Sequence, residues 1–234
     1  RFRVEDDVDG FLAEQLFKQA FTVHPYGWPT IGWMQDIANL TLDDCHEFYR
    51  RYYAPNNANL ILVGDFVPDD ALRAVVRHFG HIAPGVRPDE AATRAEPEQT
   101  QERRQVFRKP VSAEHALLGY KCPGQADPDW LLVEFVHELL FGGASSRLYK
   151  RLVIDEEIAS SAGGHVAPFR DPGLYEIDIS AKRERSIEDA MRIVDEEIAR
   201  LQTEPPSADE MRRARNRMDT GFWSSMETAD GKAA

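Results

Sequence analysis

The sequence predicts an α+β protein of two domains, each a mainly antiparallel sheet covered by helices. Three observations lead to this class. Strand patterns are few and far apart, helix patterns follow one another in pairs, and a stretch rich in proline and free of aromatic residues divides the chain. The 234 residues exceed one average domain. We therefore assign residues 1–80 to a first domain, 81–102 to a linker and 103–234 to a second domain.

The first half contains three predicted helices and one predicted strand. Leu12, Leu16 and Ala20 recur at helical spacing, so a helix should end near Thr22 and lead into a loop rich in proline and glycine. A second helix starts at a Thr41 cap and stops before Pro55, and a third runs from Pro68 to Gly80 with Leu72, Val75, Val76 and Phe79 directed inward. Between them, the apolar run Asn59–Gly64 predicts a strand buried on both faces, which needs neighbouring strands.

The second half alternates strand and helix patterns. Strands are predicted at Gln105–Lys109 and His115–Lys121, followed by a helix that is capped by Asp127 and opened by Pro128. This helix is apolar almost all round and should lie deep in the core. The turn at Gly142-Gly143 ends that helix, and Ser145 or Ser146 can cap the next one. Tyr175, Ile177 and Ile179 alternate with polar residues and indicate a half-exposed strand, and capping boxes at Ser186 and Ser207 predict two closing helices.

Composition excludes several classes of function. A net charge of −12 opposes the phosphate contacts that nucleic-acid binding requires, so we expect no nucleic-acid partner. The most apolar stretch, Trp130–Phe141, is too short and too charged to span a bilayer, and we expect no membrane insertion. The two cysteines, Cys45 and Cys122, suggest neither a disulfide framework nor a thiolate zinc site. We expect a soluble protein, with periplasm and cytoplasm both left open.

The seven histidines do not form a metal motif. His46-Glu47 and His137-Glu138 are not followed by a second histidine in the spacing His-Glu-x-x-His, and the inverted form His-x-x-Glu-His is also missing. His78 and His81 flank a helix end, where a structural role is favoured over metal binding. His24 precedes a proline, where it can bond the loop backbone or touch a substrate, and the structural role is favoured.

Several separated motifs resemble the insulinase and pitrilysin-like zinc peptidases, the family that includes mitochondrial processing peptidase. The likeness covers nearly the whole chain. Its motifs, in order, are Arg3–Asp7, His24–Gly27 with Ile31–Trp33, Phe48–Tyr49 with Tyr53–Ala58, Leu62–Phe66, Gly142–Gly143, Ser145–Tyr149 with Leu152–Val153, Phe169, and Asp171–Gly173.

This resemblance implies a zinc-dependent metalloendopeptidase that hydrolyses peptides or small unfolded proteins. The family's zinc ligands and water-activating Glu would lie upstream of Arg1, so no catalytic or metal residue is expected in this chain. The chain would then be a fragment: residues 1–80 the C-terminal part of an incomplete catalytic-type domain, and 103–234 a non-catalytic homologous domain truncated at its C-terminal end. We expect the fragment to be inactive and to bind no zinc, and residues 1–80 to be unstable or prone to association.

A second implication concerns substrate binding. Family members use an Arg and a Tyr in the non-catalytic half to hold the substrate backbone, and the matching positions here are Val153 and Ser160, which replace neither group. In two-subunit relatives the catalytic subunit lacks this pair. The resemblance therefore implies a zinc-bearing parent that associates with a homologous partner subunit or with itself. A non-catalytic scaffold of the core-subunit kind and a plain peptide-binding module stay open as alternatives.

Overall fold

The structure, a computed structural model, describes residues 7–86 and 94–233. Arg3–Asp7, the first family-like motif, lies almost wholly outside this part of the chain. Contacts group the molecule into two units, one spanning residues up to 29 with 95–221 and the other spanning 30–94 with 222–234. The division at residues 80 and 102 stays a prediction.

The first unit is built on a three-stranded antiparallel sheet. Its strands are β1 (His115–Cys122), β2 (Ala159–Val166) and β3 (Gly173–Ala181), in the order β1-β3-β2. Ile177 lies at the centre of β3, opposite Leu118 of β1 and Gly164 of β2. The strands predicted at His115–Lys121 and around Ile177 are thereby confirmed.

Helices and the sheet enclose the main core. The helices of this unit are α1 (Val8–Ala20), α5 (Trp130–Phe141), α6 (Arg147–Tyr149), which continues as a π-helical turn over Lys150–Asp155, α7 (Ile187–Thr203) and α8 (Ala208–Ser225), whose last residues belong to the second unit. Tyr175, Ile177 and Ile179 pack on one sheet face against Leu140 and Ile193. Alternation along β3 thus directs its apolar residues to the covered face, as the sequence predicts.

The opposite sheet face is partly covered by α1. Leu174 packs there with Ala20 and Phe21 in a second, smaller apolar cluster. Gly119 permits this approach, because a Cβ at that position would lie 3.0 Å from both terminal methyl carbons of Leu16. The remainder of this face carries polar residues, including the exposed Asp178. The prediction that β3 is a half-exposed strand is therefore confirmed for the part of this face that α1 does not cover.

Three predictions for this unit are wrong. Gln105–Lys109 forms no strand, because no described strand pairs with it. Helix α5 begins two residues later than predicted, since the Asp127 carboxylate accepts from the Asp129 N–H and holds a turn before the helix. Nor is α5 buried all round: Leu131 and Leu132 are exposed, and only Trp130, Leu139 and Leu140 are fully buried.

The second unit consists of short helices and connecting loops. Its helices are α2 (Met34–Asn39), α3 (Leu42–Tyr52), α4 (Pro68–Phe79) and α9 (Ala229–Ala233), with a 3-10 turn over Pro55–Asn57. The predicted Thr41 cap is confirmed, since Thr41 and Asp44 form a reciprocal capping box. Among the described residues of this unit, the only buried side chain is that of Ala54.

Two predictions for the second unit are wrong, one about the pairing of a strand and one about the burial of a helix. Asn59–Gly64 forms no strand, because within the described chain no other strand lies beside it to complete its backbone hydrogen bonds. Helix α4 has the predicted bounds, but Leu72, Val76 and Phe79 are exposed and not directed into a core. Helix α4 therefore forms where the sequence predicts it, but its apolar residues do not pack into a core.

Candidate functional site

The loop after α1 is fixed by its own backbone. Pro25–Gly27 forms a 3-10 turn, and the His24 Nδ1 accepts a hydrogen bond from the Tyr26 N–H at 3.1 Å. Gly27 is required by close approach, because a Cβ there would lie 2.4 Å from the Phe21 carbonyl oxygen. The loop that carries the family-like motif is thus held in one conformation by local contacts.

Glu96 binds this loop from a position 72 residues away in the sequence. One carboxylate oxygen accepts from the Thr22 N–H and hydroxyl, each at 2.7 Å. The other accepts from the N–H groups of Val23 at 2.8 Å and His24 at 2.9 Å. Partial burial alone would raise the pKa of Glu96, but these hydrogen bonds outweigh it and lower the pKa to about 2.

His24 itself is buried, with 6% of its surface exposed. Because Nδ1 accepts from the backbone, the ring proton belongs on Nε2, which faces the Asp171 carboxylate at 3.5 Å. The Tyr26 hydroxyl accepts from the Asp171 N–H at 3.1 Å, and the Tyr26 ring packs on Phe169 with centroids 4.5 Å apart. These contacts join two of the motifs, His24–Gly27 and Phe169–Gly173, and give His24 the structural role that was favoured.

The described residues do not fit a zinc ion. In residues 7–86 and 94–233, no three His, Cys, Asp or Glu side chains cluster closely enough to hold a metal. His46, His78 and His81 are exposed. His137 is partly buried, its Nδ1 lies 3.4 Å from the Tyr175 hydroxyl, and burial lowers its pKa.

The turn after α5 leads into α6, and an ion pair joins α6 to α8. Gly143 adopts a positive φ of 109°, and the Ser146 hydroxyl donates to the Gly143 carbonyl at 2.6 Å. Ser146 occupies the predicted N-cap position before α6, but its side chain makes no capping hydrogen bond to the helix. Arg147 forms a bidentate pair with Glu210 of α8 at 2.7 and 3.1 Å. The turn thus connects α5 to α6.

Val153 and Ser160 lie in irregular backbone. Val153 belongs to the π-helical turn and packs against the main core. Ser160 is the extra residue of a β-bulge between Ala159 and Ser161, and its hydroxyl donates to the Ser180 carbonyl at 3.1 Å. Neither side chain offers a guanidinium or phenol to a ligand. The bulge was not predicted, because it arises from the register against β3, which the sequence of β2 alone does not define.

A family model described as the inactive domain of peptidase M16 matches residues 39–218. The chain belongs to the peptidase M16 family. This confirms the resemblance to zinc peptidases of the insulinase and pitrilysin kind, and the mixed helical and antiparallel fold agrees with it. The match includes both the Gly142-Gly143 turn and the Val153 and Ser160 positions.

Individual relatives agree with the M16 assignment. The zinc protease PqqE of Helicobacter pylori is 33% identical over 180 residues, which is 75% of this chain and 40% of that protein. An uncharacterized zinc protease of Mycobacterium leprae is 24% identical over 233 residues, which is 97% of this chain and 51% of that protein. The chain therefore spans about half the length of these relatives.

Solved structures confirm the fold. A protease from Helicobacter pylori superimposes with a TM-score of 0.90 at 28% identity, covering 100% of this chain and 57% of that one. An M16 inactive domain from Pseudomonas fluorescens superimposes with a TM-score of 0.80 at 21% identity, over 97% of this chain and 54% of that one. No helix within the described residues is both long and apolar enough to cross a membrane.

Proposed function

We propose that this chain is part of a longer zinc metalloendopeptidase that hydrolyses peptides or small unfolded proteins, and that the catalytic centre lies in the parent polypeptide outside residues 1–234. The observation that carries this proposal is the combination of M16 membership with relatives named zinc proteases of about twice the length.

Within that parent, we assign residues 103–234 to a non-catalytic domain. The matching family model is described as an inactive domain, and its match over residues 39–218 covers residues 103–218 of this part as well as residues 39–80. Residues 1–80 would supply the C-terminal part of the catalytic-type domain. The chain alone is then expected to bind no zinc and to cleave no peptide, because it holds neither the ligands nor a water-activating carboxylate beside a metal.

The parent would be the catalytic type of subunit. Val153 packs against the core and Ser160 bonds the backbone of β3, and neither side chain carries the guanidinium or phenol that holds substrate in the family's non-catalytic half. A homologous partner with Arg and Tyr at these two positions would complete substrate binding, since both groups bond peptide carbonyls. The partner is a second polypeptide of this family or a second copy of the parent.

One observation favours a second candidate, a non-catalytic scaffold of the same family. The matching family model and the Pseudomonas fluorescens neighbour are both described as inactive domains, and fold alone does not carry chemistry. The two candidates differ in the parent sequence that precedes residue 1. A catalytic parent carries His-x-x-Glu-His there, and a scaffold does not.

The test is hydrolysis of an internally quenched peptide by the purified parent. We expect cleavage that a chelator abolishes and that added zinc restores, and we expect none from residues 1–234 alone. A variant of the parent with Gln in place of the Glu of its inverted motif is the matched control, since it retains the zinc ligands. Chelator-insensitive cleavage, or no cleavage by a parent that carries the motif and binds zinc, would overturn the proposal.

A further inference from the structure

Three successive backbone N–H groups point to one place in the loop after α1. Those of Thr22, Val23 and His24 all donate to the Glu96 carboxylate, and the Thr22 hydroxyl is a fourth donor. Successive N–H groups that converge in this way form a concave nest that attracts anions. We call Thr22–His24 the nest. It precedes the 3-10 turn Pro25–Gly27, so its donors are not those of a helix N-terminus.

The placement of the four donors matches a carboxylate. Two of them meet one oxygen, both at 2.7 Å, and two meet the other, at 2.8 and 2.9 Å. A carboxylate has about four lone-pair sites on its two oxygens, so the donors use all of them. A chloride ion has a single centre and does not reach both pairs of donors. The nest therefore selects a planar anion with two oxygens.

The backbone just before the nest has the opposite polarity and binds cations. Arg103 Nη1 donates to the Gln19 carbonyl at 2.6 Å, and Lys121 Nζ donates to the Ala20 carbonyl at 2.8 Å. Both carbonyls end α1, where the helix dipole attracts positive charge. Burial lowers the pKa of Lys121, and the negative charge of Glu96 opposes this shift. An ammonium group close to the nest thus adds to its attraction for an anion.

The nest and Glu96 also lie near the two points where the chain leaves and re-enters the first unit. This unit includes residues up to 29 and resumes at residue 95, directly before Glu96. Residues 94–114 contain neither helix nor strand, so no backbone ladder holds this segment. The hydrogen bonds of Glu96 therefore tie the re-entering segment to the loop that precedes the exit.

We propose that the nest is a carboxylate-binding site whose ligand in this chain is Glu96, and that residues 94–104 are a strap fastened by this binding. The site accepts a free aliphatic carboxylate when the Glu96 side chain is shortened. Glu96 is only half-buried, so a small anion reaches the nest from solvent. The site is independent of the proposed function, since it needs neither zinc nor hydrolysis.

Chemical rescue of residues 1–234 tests the site. Glu96→Ala removes a fragment that acetate matches, and it should lower the Tm, followed by near-UV circular dichroism, by about 3 to 8 °C. Sodium acetate at about 0.5 M should recover at least about half of this loss, if it binds with a dissociation constant of roughly 0.1 M. Sodium chloride at the same ionic strength should not. The exposed Glu98, as Glu98→Ala, is the control and should respond equally to both salts.

A second variant separates binding from a general effect of acetate. Glu96→Gln fills the nest with its own amide, so acetate should stabilise it no more than chloride does. Equal responses of Glu96→Ala and Glu96→Gln to acetate would overturn the proposal, as would equal rescue by chloride. If Glu96→Ala is unfolded in chloride, its near-UV spectrum should return as acetate is added, and failure to return would also overturn it.

Limited digestion with trypsin tests the strap. Arg94, Arg103 and Arg104 are exposed cleavage sites within it. Mass spectrometry should show Glu96→Ala cut at these sites at least about fivefold faster than the unsubstituted chain, because the strap opens more often without its ligand. Acetate should slow this cleavage, and Glu98→Ala should be cut at the unsubstituted rate. Unchanged cleavage of Glu96→Ala would contradict the strap.

Discussion

The Glu96 carboxylate offers the sharpest test of how the His24–Gly27 loop is held. Glu96→Gln removes the negative charge and turns an amide nitrogen towards backbone N–H groups that need an acceptor. A fall in pKa from 4.5 to about 2 corresponds to roughly 3 kcal/mol at about 1.36 kcal/mol per pKa unit. Solvent screening at this partly exposed group reduces the expected loss of unfolding free energy to about 1 to 2 kcal/mol.

The assay is urea denaturation followed by circular dichroism, with Glu98→Gln as the control because Glu98 is exposed and lies two residues away. The pKa of Glu96 is lowered in the folded state, so its contribution is present above pH 4.5 and is lost as the pH falls towards 2. Glu96→Gln should therefore be less stable than Glu98→Gln at pH 7, and the two variants should converge only as the pH falls below about 2. Equal stability at pH 7 would refute the account of this loop.

Two further predictions concern close packing in the first unit. Gly27→Ala should lower the free energy of unfolding by about 1 to 3 kcal/mol, because its Cβ would lie 2.4 Å from the Phe21 carbonyl oxygen. The control is Gly221→Ala in α8, where a Cβ would have nothing within 4 Å. In thermal melts this control should be neutral or stabilising by up to about 1 kcal/mol. Ile177→Ala should cost about 2 to 5 kcal/mol in urea denaturation, since Ile177 is 0% exposed, and Leu131→Ala, at a residue 62% exposed, should cost less than about 1 kcal/mol. Similar costs within either pair would contradict the packing described.

Elements whose signals are local could be predicted from the sequence. The Thr41 cap lies next to the helix that it starts, and the sequence and structure agree on it. The alternation around Ile177 likewise identifies β3, because a period of two distinguishes a half-exposed strand from a helix. The reciprocal bonds between Ser207 and Glu210 at the start of α8 are a third example.

Features that depend on distant partners could not be predicted in the same way. Leu60–Val63 has the composition of a strand, but a strand exists only where another backbone completes its hydrogen bonds. Gln105–Lys109 fails for the same reason. Glu96 binds N–H groups 72 to 74 residues away, and no local pattern in its own segment marks it as a ligand for them. The family-like motifs identified the surroundings of His24 without indicating this contact.

The same distinction applies to the candidate site. Motif positions alone are enough to select Val153 and Ser160 as the places where an Arg and a Tyr are missing. The π-helical turn at Val153 and the bulge at Ser160 are consequences of packing and register, and they appear only in the folded chain. Whether these positions face substrate in the parent stays a prediction.

The central claim is that the catalytic metal belongs to the parent and not to residues 1–234. Zinc content measures this most directly, determined by atomic absorption on both proteins after exhaustive dialysis against metal-free buffer. The account predicts one tightly held zinc ion per parent polypeptide and none on residues 1–234. Stoichiometric zinc on the shorter chain, or none on a parent that carries the inverted motif, would contradict it.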